Sequence, residues 1–556
     1  MRIVIVGGVA GGMSAAARAR RMSESAEIIV FERGDYVSFA NCGLPYYVGG
    51  EIAEEDSLLL QTPESLRASL NLDVRTRHDV IAVDAEAKTV TVRNSEGTET
   101  VSYDALILSP GAKANRPDIP GIDSPRVQTL RTVNDAVTQR TVVEGGAKKA
   151  VVLGAGFIGL EAAEALALKD LDVTVVQSSS HILTPLEPEM AHLAHQELER
   201  MGITIHTGTY ADAIEQGEDH DTVMLSTGER IDADLIVLSI GVHPDTEPFA
   251  EAGIETVNGA IVIDEYGKTN RESIWAVGDA VASTHAVTGA QGPVALAGPA
   301  NRAGRQIADN IIRGDSSQPL PKPLGTAVVR IGEFTVAMTG ANSAGLAQAG
   351  IKHHTLHLHP NNHVAYFPGG SQIHMVVHIG EDGTVLGAQA VGKSGVDKRI
   401  DVLATAIRAG MNAYDLIDLD LAYSPPYGSA KDPVNFAGMV GANVLDGTLK
   451  LWYAQDLAAE QERALILDAR SAAEVARVSI PGALNIPHTE LRACLDEVTE
   501  AAAGRPVRVL CQSGVRSHIA NRILTEAGFD SASLSGGMLT LIAALGPEAE
   551  TVLTRG

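Results

Sequence analysis

Two cysteines stand in segments whose neighbours suit sulfur chemistry. Cys42 lies in Ser38-Phe39-Ala40-Asn41-Cys42-Gly43-Leu44-Pro45-Tyr46-Tyr47, ten residues past Glu32. A lone thiol there predicts a redox role. With no partner cysteine nearby, its oxidised form must be a mixed disulfide with a small thiol, a persulfide or a sulfenic acid. The amino end of a helix starting after Gly43-Leu44-Pro45 would favour the reactive thiolate. Cys511 opens Cys511-Gln512-Ser513-Gly514-Val515-Arg516-Ser517. Backbone N–H groups of such a loop, with Arg516, make an anion nest for a thiolate or persulfide. The spacing to Arg516 is one residue short of a phosphatase's C-x5-R, which favours sulfur transfer. Cys494, in a helical stretch without such a loop, fits a structural thiol. Two sulfur centres in one chain predict sulfur traffic.

The elements that must position Cys42 begin at the amino end. Residues 2 to 6 are an apolar run, followed by Gly7-Gly8-Val9-Ala10-Gly11-Gly12 and an Ala-rich stretch, which predicts strand, turn and helix. A second strand, Glu27 to Phe31, ends at Glu32, whose carboxylate suits ribose hydroxyls, while the helix amino end suits a pyrophosphate. Val9 occupies the middle glycine position of G-x-G-x-x-G and weakens this copy. A complete copy follows at Gly154-Ala155-Gly156-Phe157-Ile158-Gly159, between the strands Ala150 to Leu153 and Val173 to Val176. Two such units predict two dinucleotides. The strand after the second ends at Gln177-Ser178-Ser179, with neither the carboxylate that favours NAD nor an arginine for a 2'-phosphate, so NADH and NADPH both stay open. Apolar strands at 105–108 and 235–238 follow the same grammar. Gly278-Asp279, after Ile274 to Val277, fits either an ordinary strand-end turn or a carboxylate for a flavin's ribityl chain.

From about Pro323 the pattern shifts to β-alternation, including His353-His354-Thr355-Leu356-His357-Leu358-His359. His357 and His359 share one strand face. One face of one strand does not close a metal shell without carboxylate or cysteine partners, so a solvated strand is expected and no metal. A new segment begins after Asp446-Gly447.

The chain of 556 residues is too long for one core. Three cysteines give no disulfide framework, and the first residues run into a glycine turn instead of a signal peptide, so a reducing cytoplasm is the expected setting. Every apolar run is broken before the ~20 residues of a membrane helix. A net charge of -26 argues against nucleic acid or an anionic membrane as partner. With 55 glycines and 4% aromatic residues, the composition fits an α/β protein with many tight turns.

Gly7 to Gly12, Gly154 to Gly159, Gly278-Asp279 and Cys42 together resemble the pyridine nucleotide-disulfide oxidoreductases over roughly residues 1 to 445. The position five past Cys42, where larger members carry a second cysteine, is Tyr47, which indicates the single-cysteine subgroup. NADH oxidases and peroxidases of that subgroup carry a histidine where this chain has Ala10. The block Ser38 to Tyr46 instead resembles coenzyme A-disulfide reductases, as do Tyr366-Phe367-Pro368-Gly369, Ala422 to Tyr427 and Lys431-Asp432-Pro433-Val434-Asn435. Residues 452 to 556 resemble a rhodanese domain through Asp468-Ala469-Arg470, Ile480 to Pro487, the Cys511 loop and Gly536-Gly537. Ser479 replaces that family's histidine, and the tryptophan often found after the double glycine is absent.

The resemblance implies an α/β fold with two Rossmann-like domains, for FAD (1–112 and 240–320) and NAD(P) (113–239), an α+β dimerisation domain (322–445) and an α/β rhodanese domain (452–556). It implies a cytoplasmic homodimer that reduces coenzyme A persulfide, polysulfide or coenzyme A disulfide. The alternatives are a coenzyme A-disulfide reductase with a separate rhodanese activity, a water-forming NADH oxidase, and a sulfane-sulfur carrier or sensor. By the same resemblance Gly7, Gly12, Glu32, Arg33, Gly111, Gly278 and Asp279 hold FAD, and Gly154, Gly156, Gly159 and Gln177 hold the nicotinamide coenzyme. Ser14, Arg18, Arg21, Ser38, Asn41, Asn301 and Lys431 bind coenzyme A. Arg18 and Arg21, taken alone, fit a solvated helix face equally well. Tyr366 and Tyr423, otherwise packing residues, approach Cys42 across the dimer and donate O–H to a departing sulfur.

Overall fold

The computed structural model describes residues 1–314 and 318–556. The chain divides into two units, Met1–Ser180 with Met201–Gly325, and His181–Arg200 with Thr326–Gly556.

The first unit holds two parallel five-stranded sheets. One is ordered Ile274–Ala276, Ala105–Leu108, Arg2–Val6, Glu27–Phe31, Asp73–Arg75. The other runs Thr204–Thr207, Asp172–Gln177, Lys149–Leu153, Leu235–Leu238, Val127–Gln128. The chain thus leaves the first sheet after Leu108, builds the second, and returns at Ile274 to pair beside Leu106. The central strands are covered on both faces, which is why they are unbroken runs of Ile, Val and Leu. Each such side chain contributes about 1.5–3 kcal/mol on burial.

Each first strand ends in a glycine with positive φ, Gly7 at 94° and Gly154 at 102°, a turn that side-chain-bearing residues rarely make. The last glycine of each motif lets the helix lie on that turn. A methyl on Gly12 would sit 1.9 Å from the Gly7 carbonyl oxygen, and one on Gly159 2.0 Å from that of Gly154. Val9 is no obstacle, since it caps the helix Ala10–Met22 at φ -114°, a negative value that needs no glycine. That helix packs against Ala297–Arg313 so closely that a methyl on Gly304 would meet the Gly11 carbonyl oxygen at 2.2 Å. Small residues at this crossing bring Ser14 and Asn301 within reach of each other.

The second unit contains an antiparallel sheet ordered Ala327–Ile331, Phe334–Gly340, Val385–Gly392, Ile373–Gly380, His353–Leu358. Helices Val396–Ala409 and Pro433–Leu445 pack on it. Its carboxy-terminal part is a parallel sheet, Leu451–Trp452, Ser531–Leu534, Val507–Leu510, Leu465–Asp468, Leu484–Asn485. Helix Pro188–Arg200 packs against Gly537–Leu545 of this part. No helix of the described residues is long and apolar enough to cross a membrane.

Candidate active sites

In the first unit, Cys42 sits in a 3-10 turn, Asn41–Gly43, that runs into the helix Leu44–Val48. The segment before it is anchored to the first glycine loop, because the Ser38 N–H donates to the Gly8 carbonyl at 2.8 Å. Ser38 itself adopts φ 51°, and Phe39 bridges Leu59. The helix after Cys42 rests on the second glycine-loop helix, Phe157–Ala167, where Gly49 meets Ala165. Tyr46 donates to Glu161 at 3.2 Å, and the Arg140 guanidinium lies 4.5 Å from the centre of the Tyr47 ring. The thiol is therefore carried by a segment held to both dinucleotide motifs.

Cys42 is free and exposed. Desolvation on its inner side, then the charges of Glu161 and Asp279, push its pKa up. This corrects the expectation of a thiolate favoured by a helix end. The helix has only five residues, too short for much dipole, and desolvation first, then the two carboxylates, disfavour the thiolate. Glu161 carries no mark of this role in the sequence beyond its place two residues after Gly159, the last glycine of the second motif.

Around the first motif, Glu32 accepts from the Gly8 N–H and the Gly34 N–H, each at 2.7 Å. Arg33 and Lys113 both pair with Asp245. Burial raises the Asp245 carboxyl, yet Lys113 and Arg33 hold it below its usual range. Gly111 and Gly278 have φ of 73° and 85°. Asp279 is pushed up by desolvation and eased down by Arg131. These residues fit a flavin dinucleotide: a glycine loop closed on a helix start, a carboxylate at the strand end, and a part-buried carboxylate awaiting hydroxyl donors. Around the second motif, Gln177 accepts from the Ala155 N–H at 2.8 Å, and Gly156 has open space about its Cα, room for a pyrophosphate to approach.

Of the residues assigned to coenzyme A, the Ser14 hydroxyl donates to Asn301 at 2.5 Å. Arg18 is bound by Asp309 through bonds of 2.6 and 3.1 Å, so much of its charge is already met. Arg21 and Asn41 are exposed.

In the second unit, the hydroxyls of Tyr366 and Tyr423 meet at 3.2 Å. Tyr366 is 74% exposed and Tyr427 73%. Lys431 is exposed beside Asp432, which is buried against Arg399 at 2.9 Å and caps the helix Pro433–Leu445.

Cys511 directly follows the strand Val507–Leu510, is 1% exposed, and its sulfur accepts from the Gly514 N–H at 3.2 Å. Arg516 forms a two-bond pair with Glu474, at 2.8 and 2.6 Å. The nest is thus backbone at the sulfur, with Arg516 shared by a carboxylate instead of free for an anion. That pair, together with Ser471, holds Glu474 down to about 2 despite partial burial. Arg470, also buried, is held by Asp468 at 2.7 Å and reaches Gln512. Cys494 lies at a helix start with intermediate exposure and packs on the local core.

The solvated-strand expectation for His357 and His359 fails. Both rings bond to residues of the carboxy-terminal part, His357 to Ser535 and His359 to Thr540, each at 2.8 Å. Linear alternation could not show that this edge is covered. No group of three or more metal-binding side chains occurs among the described residues.

Comparisons agree with this layout. The model for "Pyridine nucleotide-disulphide oxidoreductase" matches residues 1–303, that family's dimerisation domain matches 326–433, and "Rhodanese-like domain" matches 452–543. A coenzyme A disulfide reductase of Staphylococcus haemolyticus is 34% identical over 442 residues, covering 79% of this chain and 98% of that protein. Reduced CoADR-RHD of Bacillus anthracis superposes with a TM-score of 0.95 at 38% identity, over 99% of this chain and 98% of its own. A NAD-dependent persulfide reductase from A. fulgidus gives 0.90 at 37%, over 97% and 100%. The chain belongs to the pyridine nucleotide-disulphide oxidoreductases, FAD- and NAD(P)H-dependent enzymes, and carries a rhodanese-like domain at its carboxy-terminal end.

Proposed function

We propose that this chain uses NAD(P)H to reduce the sulfane sulfur of coenzyme A persulfide or polysulfide, or coenzyme A disulfide, through Cys42, with Cys511 accepting or delivering sulfur. The observation that carries the reading is Cys42 itself: a free, exposed thiol on a segment tied to both dinucleotide motifs, with Tyr47 where a partner cysteine would stand. A thiol so placed needs a substrate that supplies the second sulfur.

The Cys42 thiolate attacks the inner sulfur of coenzyme A persulfide, the S–S bond breaks, hydrosulfide leaves, and a Cys42–coenzyme A mixed disulfide forms. Two electrons and one proton then return Cys42 thiolate and free coenzyme A thiol. Bound FAD supplies the relay that brings those electrons from NAD(P)H. With coenzyme A disulfide the same attack expels coenzyme A thiolate. At the second site the Cys511 thiolate attacks the outer sulfur of a persulfide, becomes a persulfide, and releases the donor's thiolate. The Gly514 N–H stabilises the negative Cys511 sulfur before transfer.

Ser14, Ser38, Asn41, Asn301, Arg18, Arg21 and Lys431 are the proposed coenzyme A contacts, and Tyr366 and Tyr423 the proposed proton donors to the leaving sulfur. The exposed aromatic side chains around Tyr366, Phe367 and Tyr427 and the matched dimerisation domain support a homodimer. Free thiols suit a cytoplasmic setting.

Anaerobic turnover with coenzyme A persulfide tests the proposal. Cys42→Ser should abolish NAD(P)H oxidation, while Cys511→Ser should spare coenzyme A-disulfide reduction. Full activity in Cys42→Ser would end the reading. Mass spectrometry of the native protein should find a coenzyme A adduct on Cys42. Ala10 stands where the related oxidases carry a histidine, so oxygen uptake should not match NADH consumption.

A further inference from the structure

Within the second unit, the edge strand His353–Leu358 and the residue after it meet the turn that supports the Cys511 loop. His357 donates its backbone N–H to the Ser535 hydroxyl at 3.2 Å and bonds the same oxygen through Nδ1 at 2.8 Å, while its Nε2 meets Glu189 at 2.7 Å. His359 bonds Thr540 through Nε2 at 2.8 Å and the Nδ1 of His374 through Nδ1 at 2.9 Å. Ser535 and Thr540 flank Gly536-Gly537. A methyl on Gly536 would lie 1.9 Å from the Thr540 hydroxyl and 2.7 Å from the His357 Cβ, so the seam has no slack. A methyl on Gly537 would lie 2.5 Å from the Cys511 carbonyl oxygen. The N–H groups of Met538 and Leu539 donate to the carbonyls of Cys511 and Gln512 at 2.8 and 3.0 Å.

We infer that His357 and His359 are positioning residues for the sulfur loop: they fix the double-glycine turn through Ser535 and Thr540, and that turn holds the backbone of Cys511 and Gln512. The functional readout rests on the proposed sulfur-accepting role of Cys511, whereas the positioning itself does not.

The arrangement carries a pH dependence. The facing Nδ1 atoms of His359 and His374 share one proton; a second leaves two donors pointing at each other. Desolvation pushes both rings down, His374 to about 4 and His359 well below the usual 6.5. Other titratable groups facing this cluster are Glu187 and Glu189 from the segment leading into and opening the helix Pro188–Arg200, His353 and His378 from the sheet, and Tyr453, whose ring centre lies 6.2 Å from that of His357. Both His359 and His374 have folded values below their unfolded one. Their contribution is therefore complete above about pH 6.5 and falls away below it, the His374 part being lost as pH passes through about 4.

The experiment uses the full-length enzyme and variants that remove the two seam hydroxyls in turn, Ser535→Ala and Thr540→Val, alongside His359→Ala. Hydrogen exchange at Gly514 to Ser517 should accelerate about tenfold or more in each. Single-turnover transfer of sulfur from coenzyme A persulfide to Cys511, followed by mass, should slow about tenfold. Reduction of coenzyme A disulfide by NAD(P)H should stay within about twofold. His374→Gln, which retains a donor for His359 but takes no proton, should flatten the loss of transfer between pH 6.5 and 4. Unchanged loop exchange in Thr540→Val and His359→Ala overturns the inference, as does an equal fall of both activities. If wild-type Cys511 takes up no sulfur while loop exchange still responds, the proposed function of Cys511 fails and the positioning role stands.

Discussion

Glu161 and Glu474 shape the surroundings of the two candidate cysteines in different ways. Glu161 opposes the Cys42 thiolate through its charge and accepts from Tyr46. Glu161→Gln should therefore shift the pH profile of Cys42 alkylation by iodoacetamide to lower pH; an unmoved profile would assign the raised pKa to desolvation and Asp279. Glu474 instead ties Arg516 beside the Cys511 loop. Its folded value, about 2, lies below the ordinary 4.5. Its stabilising contribution is present above the unfolded value and is lost as pH falls through about 2. Glu474→Gln should lower the thermal midpoint at pH 7, and the difference from wild type should shrink as pH approaches that value.

At the scale of elements, the glycine contacts decide whether the dinucleotide sites exist. A valine at Gly12 or Gly159 must displace the carbonyl of Gly7 or Gly154 from about 2 Å, which no rotamer relieves. Gly12→Val should yield protein lacking bound flavin absorbance. Gly159→Val should retain flavin but raise KM for the nicotinamide at least about tenfold. The crossing of Ala10–Met22 with Ala297–Arg313 is equally intolerant. Gly304→Val should cost roughly 3 kcal/mol or more, seen as a lower melting temperature.

For the whole molecule, the decisive quantity is assembly. The side chains of Tyr366, Phe367, Tyr423 and Tyr427 are exposed in the single chain, an apolar cluster that a second copy would cover. Tyr427→Glu should shift the sedimentation mass towards the monomer and lower reductase activity in the same concentration range. A wild-type monomer at micromolar concentration would contradict the proposed homodimer. The charge of -26 has a further consequence: if the proposed contacts Arg21 and Lys431 draw in an anionic coenzyme A substrate, added salt should raise KM for it while leaving kcat nearly unchanged.

The parts whose signal is local were legible in the residues alone. Glycine turns, unbroken apolar strands, the β-alternation after Pro323 and the unpartnered Cys42 all follow from residue type and short spacing, because strand burial and positive φ leave a mark on the residues that bear them. Even the weak first motif folds as its complete counterpart does, since Gly7 and Gly12 meet the steric demand and Val9 lies outside it. What lies across space from those residues came from the folded chain. It set Glu161 and Asp279 against the Cys42 thiol, Asp309 against Arg18, and Glu474 against Arg516. It also turned a seemingly solvated histidine strand into a buried seam beneath the Cys511 loop. Each of those pairs joins positions far apart in the chain, and the electrostatics of a thiol or guanidinium depend on neighbours that linear spacing does not record.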